Sequence, residues 1–190
     1  AGATGLCVAL ADEGIELRQA GITAPILVMS EQPSSQYGAM IEHELTATVY
    51  NSVAISTYAA TARSLGRVAK VHLKVDTGMH RVGAPIADAV SRARQIAAEA
   101  SLQLDGLYTH LATADLADHP ATTAQSERFA QIVNRLLQIG ITPPHLHLAN
   151  SAATVRGLGT ESTMVRVGIA MYGIAANAET DSFGVATDMR

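Results

Sequence analysis

Within VHLKVDTGMHRVGA, residues 71–84, His72, Lys74 and Asp76 sit at alternate positions and are followed by Gly78, Arg81 and Gly83. In an extended chain successive side chains leave on opposite faces, so these three ionisable groups share one face and Val71, Leu73 and Val75 the other. Later runs repeat the asymmetry. Tyr108 and His110 alternate in LDGLYTHL, His145 and His147 in HLHLAN, and Arg166 alternates with the small Gly168 and Ala170 in MVRVGIAMYG. Cations, imidazoles and a carboxylate gathered on one surface can mark the site of a reaction. The competing reading is a row of strands with one face in water.

The elements that must carry these residues favour the first reading. Short runs rich in Val, Ile and Leu predict strands near 5–10, 25–30, 46–51, 69–77, 104–111, 145–150 and 164–173. Between them lie helical patterns, ADEGIELRQAG, SSQYGAMIEHE, SVAISTYAATARSLG, PIADAVSRARQIAAEA, TAQSERFAQIVNRLLQIG and the short SAATVRGLG. Ser34, Ser52, Thr123 and Pro85 mark helix starts, and Gly21, Gly66, Gly140 and Gly159 mark ends. Strand–helix alternation at this spacing implies parallel strands joined by crossovers, which argues against the hairpins that a half-solvated sheet would use.

An open sheet covered by helices on both sides should be apolar on both faces. A barrel with helices outside and a polar site at its mouth gives the observed asymmetry. The chain contains no G-x-G-x-x-G and no P-loop, the fingerprints of nucleotide-binding open sheets. The expected fold is therefore α/β, a (β/α)8 TIM-type barrel that is truncated, with about seven β/α units present.

The 190 residues are 48% hydrophobic, enough for one sizeable core. Net charge is −4, from 17 acidic and 13 basic residues, and the arginines are scattered, which disfavours a nucleic-acid partner. No run approaches the roughly 18 apolar residues of a membrane span. With Cys7 as the single cysteine there is no disulfide and no sulfur-rich metal site, and a reduced, cytoplasmic setting fits best. No metal site is expected.

The runs HLKVDTGMHRVG, YTHLATAD, HLANSAA and MVRVGIAMYGI resemble, in order and spacing, successive motifs of bacterial alanine racemase, the fold-type III enzyme that uses pyridoxal 5'-phosphate (PLP). VALADEGIELRQAGITAPILVM resembles that family's second and third β/α units, so the likeness covers nearly the whole chain. It implies interconversion of L- and D-alanine, an isomerase reaction supplying D-alanine for cell-wall peptidoglycan, in a homodimer with shared active sites. Serine and broad-specificity racemases share the motifs.

The resemblance also implies residue roles. Arg166 corresponds to the arginine on the cofactor's pyridine nitrogen and His110 to the histidine that orients it. Arg81 corresponds to the arginine that meets the cofactor's phenolic oxygen and the substrate carboxylate, and Lys74 to a lysine often carbamylated to hold that arginine. Ser151, with the N–H groups of Gly168 and Ile169, corresponds to the phosphate cradle. Asn150 and His147 would line the cofactor pocket or lie just behind it, Met79 would face a partner subunit's active site, and His80 has no assigned role. Structural readings stand beside these: Arg166 paired with Asp76, Lys74 in an ion pair, His110 and His147 as satisfied core histidines, Ser151 as a helix cap. His72, His145, Tyr108 and Cys7 are read as core.

The chain departs from the family at its two proton-transferring bases. Its lysines are Lys70 and Lys74, and neither lies in the V-x-K-A-N-A-Y-G-H-G motif that bears the Schiff-base lysine on the family's first strand. The other base is a tyrosine of the partner's C-terminal β domain. Both are expected to lie outside this chain, which alone is expected to be inactive. Residues 1–174 are expected to form the incomplete barrel and 175–190 the start of a connection to the C-terminal domain. Two related functions remain open: a PLP-binding homeostasis protein of the same barrel fold, and a PLP-dependent decarboxylase, which Arg166 disfavours.

Overall fold

The computed structural model describes residues 2–181. Its strands are β1 (Leu6–Val8), β2 (Ile26–Val28), β3 (Thr46–Val49), β4 (Ala69–Asp76), β5 (Ala84–Pro85), β6 (Leu102–Tyr108) and β7 (His145–His147). The helices are α1 (Ala11–Gln19), α2 (Tyr37–Glu42), α3 (Ser52–Ser64), α4 (Ala89–Ala98), α5 (Pro120–Gln138), α6 (Ser151–Val155) and α7 (Ala178–Asp181). The strand order is β1-β2-β3-β4-β6-β7, every pair is parallel, and β5 adds a short pairing to the end of β4. Parallel strands that neighbour each other in chain order, with helices returning between them, form the wall of a (β/α) barrel. The chain is a half-barrel of that kind, as expected.

The outer face of the wall carries Ile26, Val28, Val71, Leu73, Val75 and Leu107, all at most 1% exposed. They pack with Ile55, Tyr58, Ala59, Ala93, Ile96, Ile132 and Leu136 from the helices in one core. The register puts Thr48 beside His72 and His72 beside Gly106, then Lys74 beside Tyr108 and Tyr108 beside His147. The polar row thus runs along the inner face.

Several local expectations are corrected. Residues 164–173 do not form a strand. The chain follows β7 through Thr163 N–H to Leu146 O and Arg166 N–H to Ala149 O, then turns into a 3-10 helix at Ile169–Tyr172. No strand among the described residues lies on its far side to complete a ladder, and Val165, Ile169, Met171 and Tyr172 stay about half exposed. Asn51, one residue before Ser52, caps α3 by accepting the Ala54 N–H at 2.8 Å. Helix α5 starts at Pro120 rather than near Thr123, because proline suits the first helical position and His119 Nδ1 accepts the Ala121 N–H. Ser34 opens a 3-10 turn and makes no cap bond. Of the 175–190 connection, α7 is described and residues 182–190 lie outside the described residues.

Candidate active site

The inner face is built by residues whose backbone is fixed by the strands and whose side chains bond one another. Tyr108 O–H donates to Met29 O at 3.0 Å, so the Thr48 hydroxyl, 2.8 Å away, donates to Tyr108. The His147 ring stacks on Tyr108 with centroids 4.6 Å apart and planes 7° apart. Arg166, 7% exposed, lies with Cζ 5.1 Å from the same Tyr108 ring. Its Nη1 donates to His147 Nδ1 at 2.6 Å, and its Nη2 to Thr109 O at 2.8 Å, with His110 Nδ1 and Leu148 O both at 3.4 Å. The remaining donor, Nε, is buried and has no partner. Lys74 is buried with Nζ 5.3 Å from the Tyr108 ring centre.

The loop after β4 carries Arg81 and is held from below. Asp76 Oδ1 accepts the N–H groups of Gly78, Met79 and His80 at 2.9, 2.9 and 3.0 Å. Burial works against the Asp76 charge, but these N–H groups and the His80 ring outweigh it and hold the carboxyl below its ordinary range. Gly83 has φ 138°, and a Cβ there would stand 2.7 Å from the Asp76 backbone nitrogen, so glycine is required for the loop to return so close. Gln125 of α5 ties this loop to the next one: its amide donates to Thr77 Oγ1 and His110 O and accepts the Ala112 N–H, while Arg128 donates to Thr77 O.

The electrostatics of the site are cationic. Burial and then Arg81 and Arg166 lower the Lys74 ammonium to about 8, with Asp76 opposing. Burial, Arg166, Lys74 and Arg81 bring His110 down to about 4. Burial and Arg166 also push His147 far below the usual imidazole range. Neutral imidazoles around a buried guanidinium suit an anionic ligand that presents a lone pair to the unpartnered Nε.

The structure gathers Arg166, His147, His110, Lys74 and Tyr108 at one place. His147, at 2.6 Å, is a closer partner of Arg166 than His110. Asp76 serves the loop, so the pairing of Arg166 with Asp76 does not occur. Arg81 is exposed on the loop, and Met79 beside it is half-buried. Ser151 Oγ accepts the Gly168 N–H at 2.8 Å and lies 3.4 Å from the Ala170 nitrogen, which brings the segment 168–170 against the start of α6. No bond from the Ile169 N–H to Ser151 accompanies these. Ser151 is not the cap of α6. Asn150 is, accepting the Ala153 N–H at 3.1 Å while its amide donates to Leu111 O. Asn150 is therefore bonded within the wall rather than aimed into open space.

Of the four residues read as core, His72 and Tyr108 are buried, but Cys7 and His145 are exposed, Cys7 because β1 is an edge of the described sheet. Asp105, which the strand alternation does not single out, also lies on the inner face, 3.6 Å from His72. The register between β4 and β6 slips between Val71 and His72, leaving Asp105 opposite no β4 residue, as in a β-bulge. The adjoining Gly106 inside a strand was the available signal.

The family of alanine racemase N-terminal domains matches residues 1–176. An alanine racemase of Desulforamulus reducens is 41% identical over 182 residues, covering 95% of this chain and 49% of the relative. An alanine racemase of Synechocystis is 42% identical over 175 residues, covering 92% of this chain and 47% of the relative. The solved alanine racemase of Clostridium difficile 630 in complex with cycloserine superposes with a TM-score of 0.90 at 34% identity, covering 93% of this chain and 49% of that one. The chain spans about half the length of the curated relatives it matches.

Proposed function

The chain belongs to the family of alanine racemase N-terminal domains, and on that premise we propose that it forms the cofactor-bearing face of a PLP-dependent alanine racemase. The observation that carries the reading is the buried, unpartnered Nε of Arg166 on a guanidinium whose other two nitrogens are both bonded. An aromatic nitrogen with a lone pair is the kind of group that would complete it. The residues fit PLP in two further ways: the cations suit its phosphate and a substrate carboxylate, and Ser151, whose oxygen accepts the Gly168 N–H, keeps a hydroxyl hydrogen to donate at the start of α6.

When bound, PLP supplies the electron sink that acidifies the α-carbon of an amino acid. The residues of this chain set how strong that sink is. Because a guanidinium has only donors, a ring nitrogen facing Arg166 must accept and carries no proton, which restrains side reactions. His147 and Thr109 O orient the guanidinium from the far side. Arg81 meets the substrate carboxylate, and Lys74, as a carbamate, supplies the anion that steadies Arg81. Met79 faces a partner subunit across a homodimer, and Ile169 belongs to the phosphate loop. The two bases that remove and return the α-proton come from the part of the relatives' length that this chain does not span.

The reading places the complete protein in the cytoplasm, supplying D-alanine for the cell wall. No helix of the described residues is long and apolar enough to cross a membrane. The relatives are named alanine racemases, which supports this function over the homeostasis and decarboxylase readings. The test is racemisation of L-alanine, followed by circular dichroism with PLP present, by the complete protein that contains this segment. Racemisation that is absent from the 190-residue chain and abolished by Arg81→Ala is expected. A complete protein that binds PLP yet leaves alanine unracemised would contradict the reading.

A further inference from the structure

A buried row of side chains leads from Arg166 across the inner wall. Arg166 Nη1 lies 2.6 Å from His147 Nδ1, His147 Nε2 lies 2.9 Å from His72 Nδ1, and His72 Nε2 lies 3.6 Å from Asp105 Oδ2. Each end of this row has a single possible role: a guanidinium only donates and a carboxylate only accepts. His147 Nδ1 must therefore accept, which places the proton of the neutral ring on Nε2. That N–H donates to His72 Nδ1, and the His72 proton then sits on Nε2, facing Asp105. From the other end, the carboxylate asks for the same His72 proton. The two ends agree on one orientation of the whole row.

Both rings are held neutral, His72 by burial against the opposing pull of Asp105 and His147 by burial and Arg166. The opposite tautomer of His147 would aim an N–H at the guanidinium in a dry site, an uncompensated clash of donors. Asp105 is fixed for the task. Gln103 Nε2 donates to its Oδ1 at 3.2 Å, Lys70 Nζ lies 3.8 Å and His145 Nε2 3.9 Å away, and its side chain is 11% exposed. The β-bulge brings it within reach of His72.

We infer that Asp105 is a positioning residue which, acting through His72 and His147, fixes the lone pair of His147 on the Arg166 side and so aims Arg166 at the cofactor ring. The inference rests on the reading of Arg166 as the partner of that ring. Nη1 has no other partner among the described residues, so losing the His147 acceptor leaves the guanidinium held by Nη2 alone. Asp105 also lies near Lys70 and His145, and a cluster that served only to satisfy those charges would leave the imidazole tautomers indifferent to it.

The test uses the complete holoenzyme with 15N-labelled histidine and long-range proton–nitrogen correlation spectra. His72 and His147 are both expected to carry their proton on Nε2. Asp105→Leu strands the His72 Nε2 proton and leaves Arg166 as the one remaining constraint on the row, so the population protonated on Nε2 should fall measurably, the ring-nitrogen signal of bound 15N-labelled PLP should move, and kcat should fall by about tenfold, the scale of losing an outer-layer partner, with KM for alanine unchanged. Asp105→Asn retains an acceptor and should restore the tautomers. A wild-type His147 protonated on Nδ1 would overturn the inference even if Asp105→Leu fails to fold. So would an Asp105→Leu protein whose tautomers and cofactor signal match wild type. Should the protein bind no PLP while its tautomers still respond to Asp105, the relay stands and the cofactor reading falls.

Discussion

Lys74 is a cation with Arg81 and Arg166 for electrostatic neighbours and only Asp76 to oppose them. An amine must be neutral to attack carbon dioxide, and one lowered to about 8 reaches that state near physiological pH. Carbamylation would replace a third cation by an anion. In bicarbonate labelled with 13C, the complete protein is expected to show a carbamate resonance that grows as pH rises through about 8 and vanishes in Lys74→Ala. The same variant should weaken alanine binding and recover in part with added small carboxylates. The histidines have the reverse sensitivity. His110, lowered from 6.5 to about 4, binds fewer protons folded than unfolded, so the stability it contributes is present above pH 6.5 and is lost as pH falls toward 4. His72 and His147 shift in the same direction. The apparent Tm of this chain should decline over that window, and a Tm independent of pH there would count against burial of neutral imidazoles.

At the scale of elements, the bulge in β6 joins fold to site. An added Cβ on Gly106 would stand 2.6 Å from the His72 ring, which is itself pinned between His147 and Asp105. Gly106→Ala is expected to cost about 1–3 kcal/mol, the scale of overpacking, and to disturb Arg166 at a distance; a denaturant midpoint equal to wild type would show that β6 can yield. How much of this was legible in the sequence depended on periodicity. The alternation of His72 and Lys74 with Val71, Leu73 and Val75 places the polar face from sequence alone, because a period of two has one geometric meaning. The motif identifies Arg166, yet its segment reads as a strand and is not one: a run of Val, Ile and Met looks the same whether or not a neighbour pairs with it. Asp105 stayed hidden because a bulge breaks the period that makes a strand readable. Caps such as Asn51 and His119 lay one to four residues from the residues chosen, since several polar types compete for the same position.

For the whole molecule, the strand order, the apolar outer wall and the polar inner row together make half a barrel organised around one buried guanidinium. Its outer face packs against the helices and its inner face carries the ionisable row, and that division is what the sequence pattern recorded. The most direct measurement is the nitrogen resonance of 15N-pyridine-labelled PLP bound to the complete protein, in wild type and in Arg166→Glu. The expected result is an unprotonated ring nitrogen in wild type that gains a proton in Arg166→Glu, where a carboxylate can stabilise it, with racemisation slowed and transamination raised relative to it. A protonated nitrogen in wild type, or a resonance that the substitution leaves unmoved while PLP stays bound, would show that Arg166 does not touch the ring.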